Sequence, residues 1–231
     1  MSASCAGLMQ DRRFKPDKPE GKDIMTQNIL MRIDFQNDFV HPHGALSLNA
    51  PELIEKHQKF ADALFDGSFD KIIDTYDTHF AETYGNTSES DSFPPHCVQG
   101  TWGWQQAAPF KPDLAVEKMY KSTTNIWNEL KQYRTLQQDW GDTNVYLCGV
   151  LSDVCVKQAL NGLLKRGAAV VIIEDLCQGA QEQISDILQK EVYQPFIEAG
   201  YLRRITTAQF FRKELHNKKV QHNLVHKSLG E

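Results

Sequence analysis

No apolar stretch in this 231-residue sequence approaches the ~20 residues that a membrane-crossing helix requires, so a spanning protein is not expected. A long basic run is also missing, and with a formal net charge of −5 the chain carries no electrostatic footprint for nucleic acid. Cysteine is sparse and unpatterned: five residues, an odd number without repeated spacing, argue against a disulfide framework and fit a reducing, cytoplasmic setting. There are no internal repeats and no sign of a second domain. Roughly the first 26 residues mix Lys, Arg, Asp and Pro and lack the apolar centre of a signal peptide, so they read as a mobile extension with Met25 as an alternative start. The expected division is an extension over 1–27 and one domain over 28–231.

The hydrophobic fraction, 41%, supports a globular core. Strand-like runs at 29–35, 71–76, 114–118, 144–150, 168–173 and 202–206 alternate with helical patterns at 51–64, 98–108, 126–139, from 155, at 181–199 and from 208. The alternation predicts a three-layer αβα, Rossmann-like fold: a central parallel sheet of about six strands flanked by helices, with ligands bound outside the carboxyl ends of the strands.

The informative polar residues fall at those ends. The run 144–150 leads straight into a helix whose apolar positions Val156, Ala159, Leu160, Leu163 and Leu164 share one face before Lys165, Arg166 and Gly167 close it. Cys155 stands in that helix's first turn, with Ser152 or Asp153 available as cap. Unpaired N–H groups and a partial positive charge there favour a thiolate and any oxyanion formed beside it. A buried structural cysteine is the competing reading. Asp34 interrupts an apolar run, where an isolated carboxylate is expensive and wants a partner. Lys118 closes the predicted strand 114–118, so that Asp34, Lys118 and Cys155 converge by topology on one cleft. As alternatives, Asp34 is a turn former and Lys118 an edge charge. After the second strand, Asp77-Thr78-His79 points two ligands forward, and a long loop delivers Glu89 and Phe93-Pro94-Pro95-His96. Imidazole and carboxylate donors without thiolate suit one divalent metal, zinc foremost, with manganese and iron as alternatives. Otherwise His79 and His96 are loop histidines and Glu89 lies on a solvated face.

The string Asp34-Phe-Gln-Asn-Asp-Phe39, Asp77-x-His79, Phe93-Pro-Pro-His-Cys-Val-Gln-Gly-Thr101, Lys118 and Gly149-Val-Leu-Ser-Asp-Val-Cys155 together resemble the isochorismatase-like cysteine hydrolases, and among them the nicotinamidases. The likeness spans 29–207. It implies deamidation of nicotinamide to nicotinate and ammonia through a Cys155 thioester, a step of NAD salvage. Asp34 would take the thiol proton, Lys118 would hold the two groups in register, and the N–H groups of Leu151 and Cys155 would form the oxyanion hole, the former through a cis peptide after Val150. Phe39 and Phe93 would sandwich the substrate ring. Asp77, His79 and His96 would hold the metal, joined by Glu89, which stands seven residues before His96 as in one nicotinamidase branch. A small-molecule amide is the implied partner, and a homo-oligomer is expected.

The sequence departs from the family pattern at three places. Thr124 stands where an aromatic usually follows the lysine, Trp102 and Trp104 follow Gly100-Thr101, and Gln158-Ala159 replaces a Thr-Ala pair. A pocket open on the Thr124 side, with Trp102 or Trp127 as the other candidates to close it, would accept a broader set of amides. Two further readings stay open: another amide, carbamoyl or isochorismatase-type hydrolase, which would leave the metal residues idle, and a non-catalytic binding module.

Overall fold

The computed structural model describes residues 26–87 and 89–215. The expectations placed on the N-terminal extension, on Met25 and on the C-terminal tail lie outside these residues. Six strands form one sheet: β1 (Gln27–Ile33), β2 (Lys71–Asp77), β3 (Val116–Lys121), β4 (Thr143–Val150), β5 (Ala169–Gln178) and β6 (Leu202–Ile205). Their order is β3-β2-β1-β4-β5-β6 and every pairing is parallel. Ile29, Leu30, Met31, Arg32 and Ile33 of the central β1 are all buried. Side chains alternate between the faces of a strand, so both faces are covered, the arrangement that parallel sheets require.

The helices are α1 (Asn37–Val40), α2 (Pro51–Ala63), α3 (Lys157–Lys165), α4 (Ile184–Leu188), α5 (Gln194–Glu198) and α6 (Thr207–Gln209). α2 begins with Pro51 at its first position, where no N–H is needed. The long helix expected over 181–199 is broken: α4 ends at Leu188, Lys190 is extended, a 3₁₀ turn spans Glu191–Tyr193, and Pro195 lies in the first turn of α5, where its missing N–H costs nothing. α6 starts on a reciprocal cap, in which the Thr206 hydroxyl takes the Gln209 N–H and the Gln209 side chain takes the Thr206 N–H.

Two other expected helices are not formed. Residues 98–108 make irregular turns because their backbone is spent on the segment after β1: Asn37 N–H donates to Gln105 O at 2.9 Å, Asp38 N–H to Gly103 O at 3.0 Å, and Ala107 N–H to Phe35 O at 2.9 Å. Gly103 is required there, since a Cβ would lie 2.2 Å from the Asp38 carboxylate. Residues 126–139 hold only two short 3₁₀ turns, Ile126–Glu129 and Arg134–Gln137. The first is anchored by Trp127, whose indole N–H reaches Ala159 O on α3 at 3.3 Å and whose ring lies against Gly162.

The centre of the sheet is closed tightly at its carboxyl end. Ile33 of β1 stands opposite Gly149 of β4. A side chain at Gly149 would put its Cβ 2.1 Å from Ile33 O, and φ is +119°, so only glycine serves. β1 and β4 deliver Asp34 and Cys155 side by side from this point.

Candidate active site and metal centre

Asp34 follows β1 with φ +46° and is fully buried. Its N–H donates to Thr75 Oγ1 at 3.1 Å and its Oδ1 accepts from the same hydroxyl at 2.6 Å, which locks the carboxylate to β2. Cys155 lies in a π-helical turn, Ser152–Val156, that joins β4 to α3; a cis peptide links Val150 to Leu151, and the Leu151 carbonyl accepts from the N–H groups of Val154 and Val156. Neither Ser152 nor Asp153 caps this turn. The Asp153 carboxylate instead accepts from the N–H groups of Ala180 (3.1 Å), Gln181 (2.9 Å) and Glu182 (3.3 Å), tying the elbow to the loop after β5.

The lysine beside these groups is Lys121, not Lys118. Lys121 Nζ lies 2.8 Å from Asp34 Oδ2, 3.4 Å from Asp77 Oδ1 and 3.9 Å from Cys155 Sγ, and the residue is only 2% exposed. Lys118 is exposed, with its ammonium 6.0 Å from the centre of the Tyr76 ring. β3 runs three residues beyond the expected end, and residues an odd number apart point to opposite faces of a strand. Met119 and Lys121 share the buried face, Lys118 and Tyr120 the other. Lys121 is thereby the residue at the carboxyl end, directly opposite Asp77 of β2.

Burial is the largest single influence on the protonation of each of these groups, though it does not set the direction for all of them. It lifts Asp34 above the ordinary carboxylate range despite the nearby Lys121 cation. On Lys121 burial works against the charge, but the Asp34 and Asp77 carboxylates outweigh it and hold the ammonium well above its usual value. For Cys155, burial pushes the thiol up and Asp34, which is its hydrogen-bond neighbour, adds to this, while Lys121 opposes. Burial thus works against the thiolate that the helix-start position favours, and Asp34 is the carboxylate beside the thiol.

Asp77, His79, Glu89 and His96 meet immediately beside this group. One ligand atom from each lies within 4.8 Å of all the others, and all four residues are buried, Glu89 included at 7% exposure. His79 is drawn to the site by a short parallel bridge to Val98, with His79 N–H donating to Cys97 O at 3.0 Å and Gln99 N–H to His79 O at 2.8 Å. That bridge brings His96 alongside, and the two imidazole centres are 4.8 Å apart. His96 Nδ1 donates to Pro94 O at 2.9 Å, and its Nε2 faces Asp77 Oδ2 at 3.1 Å and Glu89 Oε2 at 3.5 Å. His79 Nε2 is 3.3 Å from both carboxylates. Both ring nitrogens of His79 and Glu89 Oε1 are buried without an aligned hydrogen bond. Two imidazoles and two carboxylates converging with unsatisfied atoms fit a divalent cation. Without one, burial opposes protonation of the two histidines, but the carboxylates prevail and raise each to about 9.

Two residues that the sequence reasoning assigned no role hold the centre in place. The Gln36 side chain pairs with both backbone groups of Asp77: Nε2 donates to Asp77 O and Oε1 accepts from Asp77 N–H, each at 2.8 Å. The Tyr84 hydroxyl sits against His96 Nδ1 at 3.2 Å and the carbonyls of Phe93 and Pro94, at 3.0 and 2.9 Å. Gln36 lies within the Asp34–Phe39 string; Tyr84 sits in an ordinary-looking loop and gave no signal.

Phe39 and Phe93 flank the centre, with ring centroids 5.6 and 6.1 Å from that of His96. The tryptophans separate. Trp104 packs on Tyr120 and donates to Thr78 Oγ1 at 3.0 Å, whereas Trp102 is 47% exposed and meets only His41 edge-on at 4.8 Å among the aromatic contacts of the described residues. Trp127 packs on α3, as above. Counting from Lys121 removes the basis for reading Thr124 as a missing aromatic wall. Its hydroxyl accepts from Gln158 Nε2 at 2.7 Å, so two of the departures from the family pattern are partners that join the loop after β3 to α3.

Comparison with known proteins agrees with this architecture. A nicotinamidase/pyrazinamidase of Mycobacterium tuberculosis is 27% identical over 166 residues, covering 65% of this chain and 86% of its own. A nicotinamidase of Saccharomyces cerevisiae is 26% identical over 189 residues, covering 63% and 85%. The solved pyrazinamidase of Pyrococcus horikoshii in complex with zinc superposes with a TM-score of 0.56 at 21% identity, covering 78% of this chain and 99% of its own. The isochorismatase-domain family model matches residues 28–199, and the chain belongs to that family.

Proposed function

We propose that the chain is a metal-binding cysteine amidohydrolase that converts nicotinamide to nicotinate and ammonia. The observation that carries this reading is the single buried group in which Lys121 touches Asp34 and Cys155 on one side and a residue of the Asp77, His79, Glu89, His96 cluster on the other. Its curated relatives named as nicotinamidases support the choice of amide.

Asp34 takes the proton of Cys155 Sγ as the sulfur attacks the amide carbonyl carbon, and Lys121 balances the negative charge that the pair then carries. The N–H groups of Leu151 and Cys155 donate hydrogen bonds to the developing oxyanion. Protonated Asp34 returns its proton to the leaving nitrogen, ammonia departs, and a thioester remains on Cys155. Water, deprotonated by Asp34, attacks the thioester carbonyl; the C–S bond breaks, nicotinate leaves and the thiol is restored. Phe39 and Phe93 offer flat surfaces for the pyridine ring. Asp77, His79, Glu89 and His96 would hold a divalent cation, zinc in the first place, which would supply an electrophilic anchor that orients the substrate.

Ammonia release from nicotinamide, pyrazinamide, a carbamoyl compound and an aliphatic amide tests the proposal. Preferred release from the pyridine and pyrazine amides is expected; release only from the carbamoyl or aliphatic compound would reject nicotinamide as substrate.

A further inference from the structure

The Asp77 carboxylate is divided between the two halves of the site. Its Oδ2 faces His96 Nε2 at 3.1 Å and His79 Nε2 at 3.3 Å, and its Oδ1 faces Lys121 Nζ at 3.4 Å. Lys121 is itself divided, because its shorter contact, 2.8 Å, is to Asp34. The chain has little freedom to relieve this sharing. Asp77 and Lys121 are register partners on neighbouring strands, and Thr78 N–H donates to Lys121 O at 2.8 Å. Gln36 grips the Asp77 backbone from the other side, and Thr75 fixes Asp34. The three side chains therefore form a fixed, buried row, Asp34–Lys121–Asp77, that ends on the cation cluster.

We infer that Lys121 is a positioning residue for the metal centre, and that Asp34 reaches the centre through it: the ammonium competes with a bound cation for the Asp77 carboxylate, and Asp34 draws the ammonium away. This rests on the proposed metal site. It makes the nucleophile's lysine and the cation energetically linked, and such linkage is reciprocal. Orientation of substrate and activation of the thiol are then not independent duties of separate residues.

The signs are specific. Lys121→Met removes the competing charge while keeping the length of the side chain, so divalent affinity should rise about tenfold or more, because charges at such separations in a buried site are poorly screened. Asp34→Asn leaves the ammonium to Asp77 alone, and affinity should fall by a similar factor. Because Asp34 acts through Lys121, the Asp34→Asn effect should largely vanish in the Lys121→Met background, and that non-additivity separates the relay from two charges acting independently through space. Lys118→Met, which removes one equal but exposed charge, is the control and should leave the affinity as in the wild type.

Zn²⁺ affinity of the four variants and wild type would be measured by competition with a chromophoric chelator, and Co²⁺ substitution would report the ligand field by its visible absorption. Altered Co²⁺ spectra in Lys121→Met and Asp34→Asn, with affinities shifted in opposite directions and the double variant close to Lys121→Met alone, are the expected results. Unchanged affinities, or strictly additive effects in the double variant, would overturn the coupling. Should Lys121→Met fail to fold, Asp34→Asn decides alone: wild-type affinity in that variant refutes the inference. Wild-type protein that binds neither Zn²⁺ nor Co²⁺ would instead refute the metal reading on which the inference stands.

Discussion

Replacing Lys121 and Lys118 in turn by methionine separates the lysine the site uses from the one three residues earlier. At 121 the substitution keeps the aliphatic stem and removes only the charge, leaving Asp34 buried without the ammonium that stands 2.8 Å from it. Breaking a buried ion pair by deleting one partner typically costs about 3–5 kcal/mol, because the surviving charge stays desolvated. Against a total stability on the order of 5–15 kcal/mol for a domain, the variant should fold but unfold at clearly lower denaturant. Amidase activity should fall by roughly 10²–10³-fold, the usual span for removing a group that stabilises charge developing in the transition state. At 118 the side chain is exposed and touches no charged group of the site, so stability should stay within about 0.5 kcal/mol and activity should be unchanged. Urea titration and ammonia release on the same preparations provide both numbers. A silent Lys121→Met with an inactive Lys118→Met would refute the assignment and with it the register of β3.

Gln36→Leu should strip the paired hydrogen bonds from the Asp77 backbone, destabilise the fold by about 2–4 kcal/mol through the buried groups left unmatched, and lower bound zinc after dialysis; retention of full metal content would show that Asp77 is held by other means. Asp153→Asn tests the clamp between the elbow and the loop after β5. Burial opposes ionisation of Asp153, but the N–H groups of Gln181, Ala180 and Glu182 prevail and depress its pKa, so its stabilisation is complete above the unfolded value of about 3.9 and is lost as pH falls through the lower folded value. The asparagine variant should lose about 1 kcal/mol at neutral pH, at the lower end for charged hydrogen bonds since the carboxylate is partly open to solvent, and the gap to wild type should close below pH 4 in acid titrations followed by fluorescence; a gap that persists there would contradict the assignment.

Much of the site was legible because its chemistry is carried by residue types that are costly to bury without purpose. Asp34 in an apolar run, the Asp77-x-His79 pair and the rigid Pro94-Pro95-His96 presentation all announce themselves, and the structure places the first beside a cation and the others in one cluster. Glu89 was ambiguous by sequence, since an exposed-looking acidic loop residue carries no periodic signal; only the bridge between His79 and Val98 folds the loop inward. The lysine was misplaced for a different reason. In Val116–Lys121 the apolar run alone ends early, but period-two alternation from Met119 reaches Lys121, and the buried partner Asp77 opposite it holds the strand in register. The helices expected over 98–108 and 126–139 failed because their backbone and aromatic groups are spent on neighbours distant in sequence, which local propensity cannot see. The Gln158–Thr124 bond likewise became visible only when loop and helix were placed together.

The most direct test of the account is the intact mass of the protein after incubation with nicotinamide and rapid acid quenching. A nicotinoyl adduct that maps to Cys155, is released by hydroxylamine and is absent from Cys155→Ala is the predicted result. Ammonia release that persists in Cys155→Ala, with no adduct in either protein, would contradict a thioester at this cysteine.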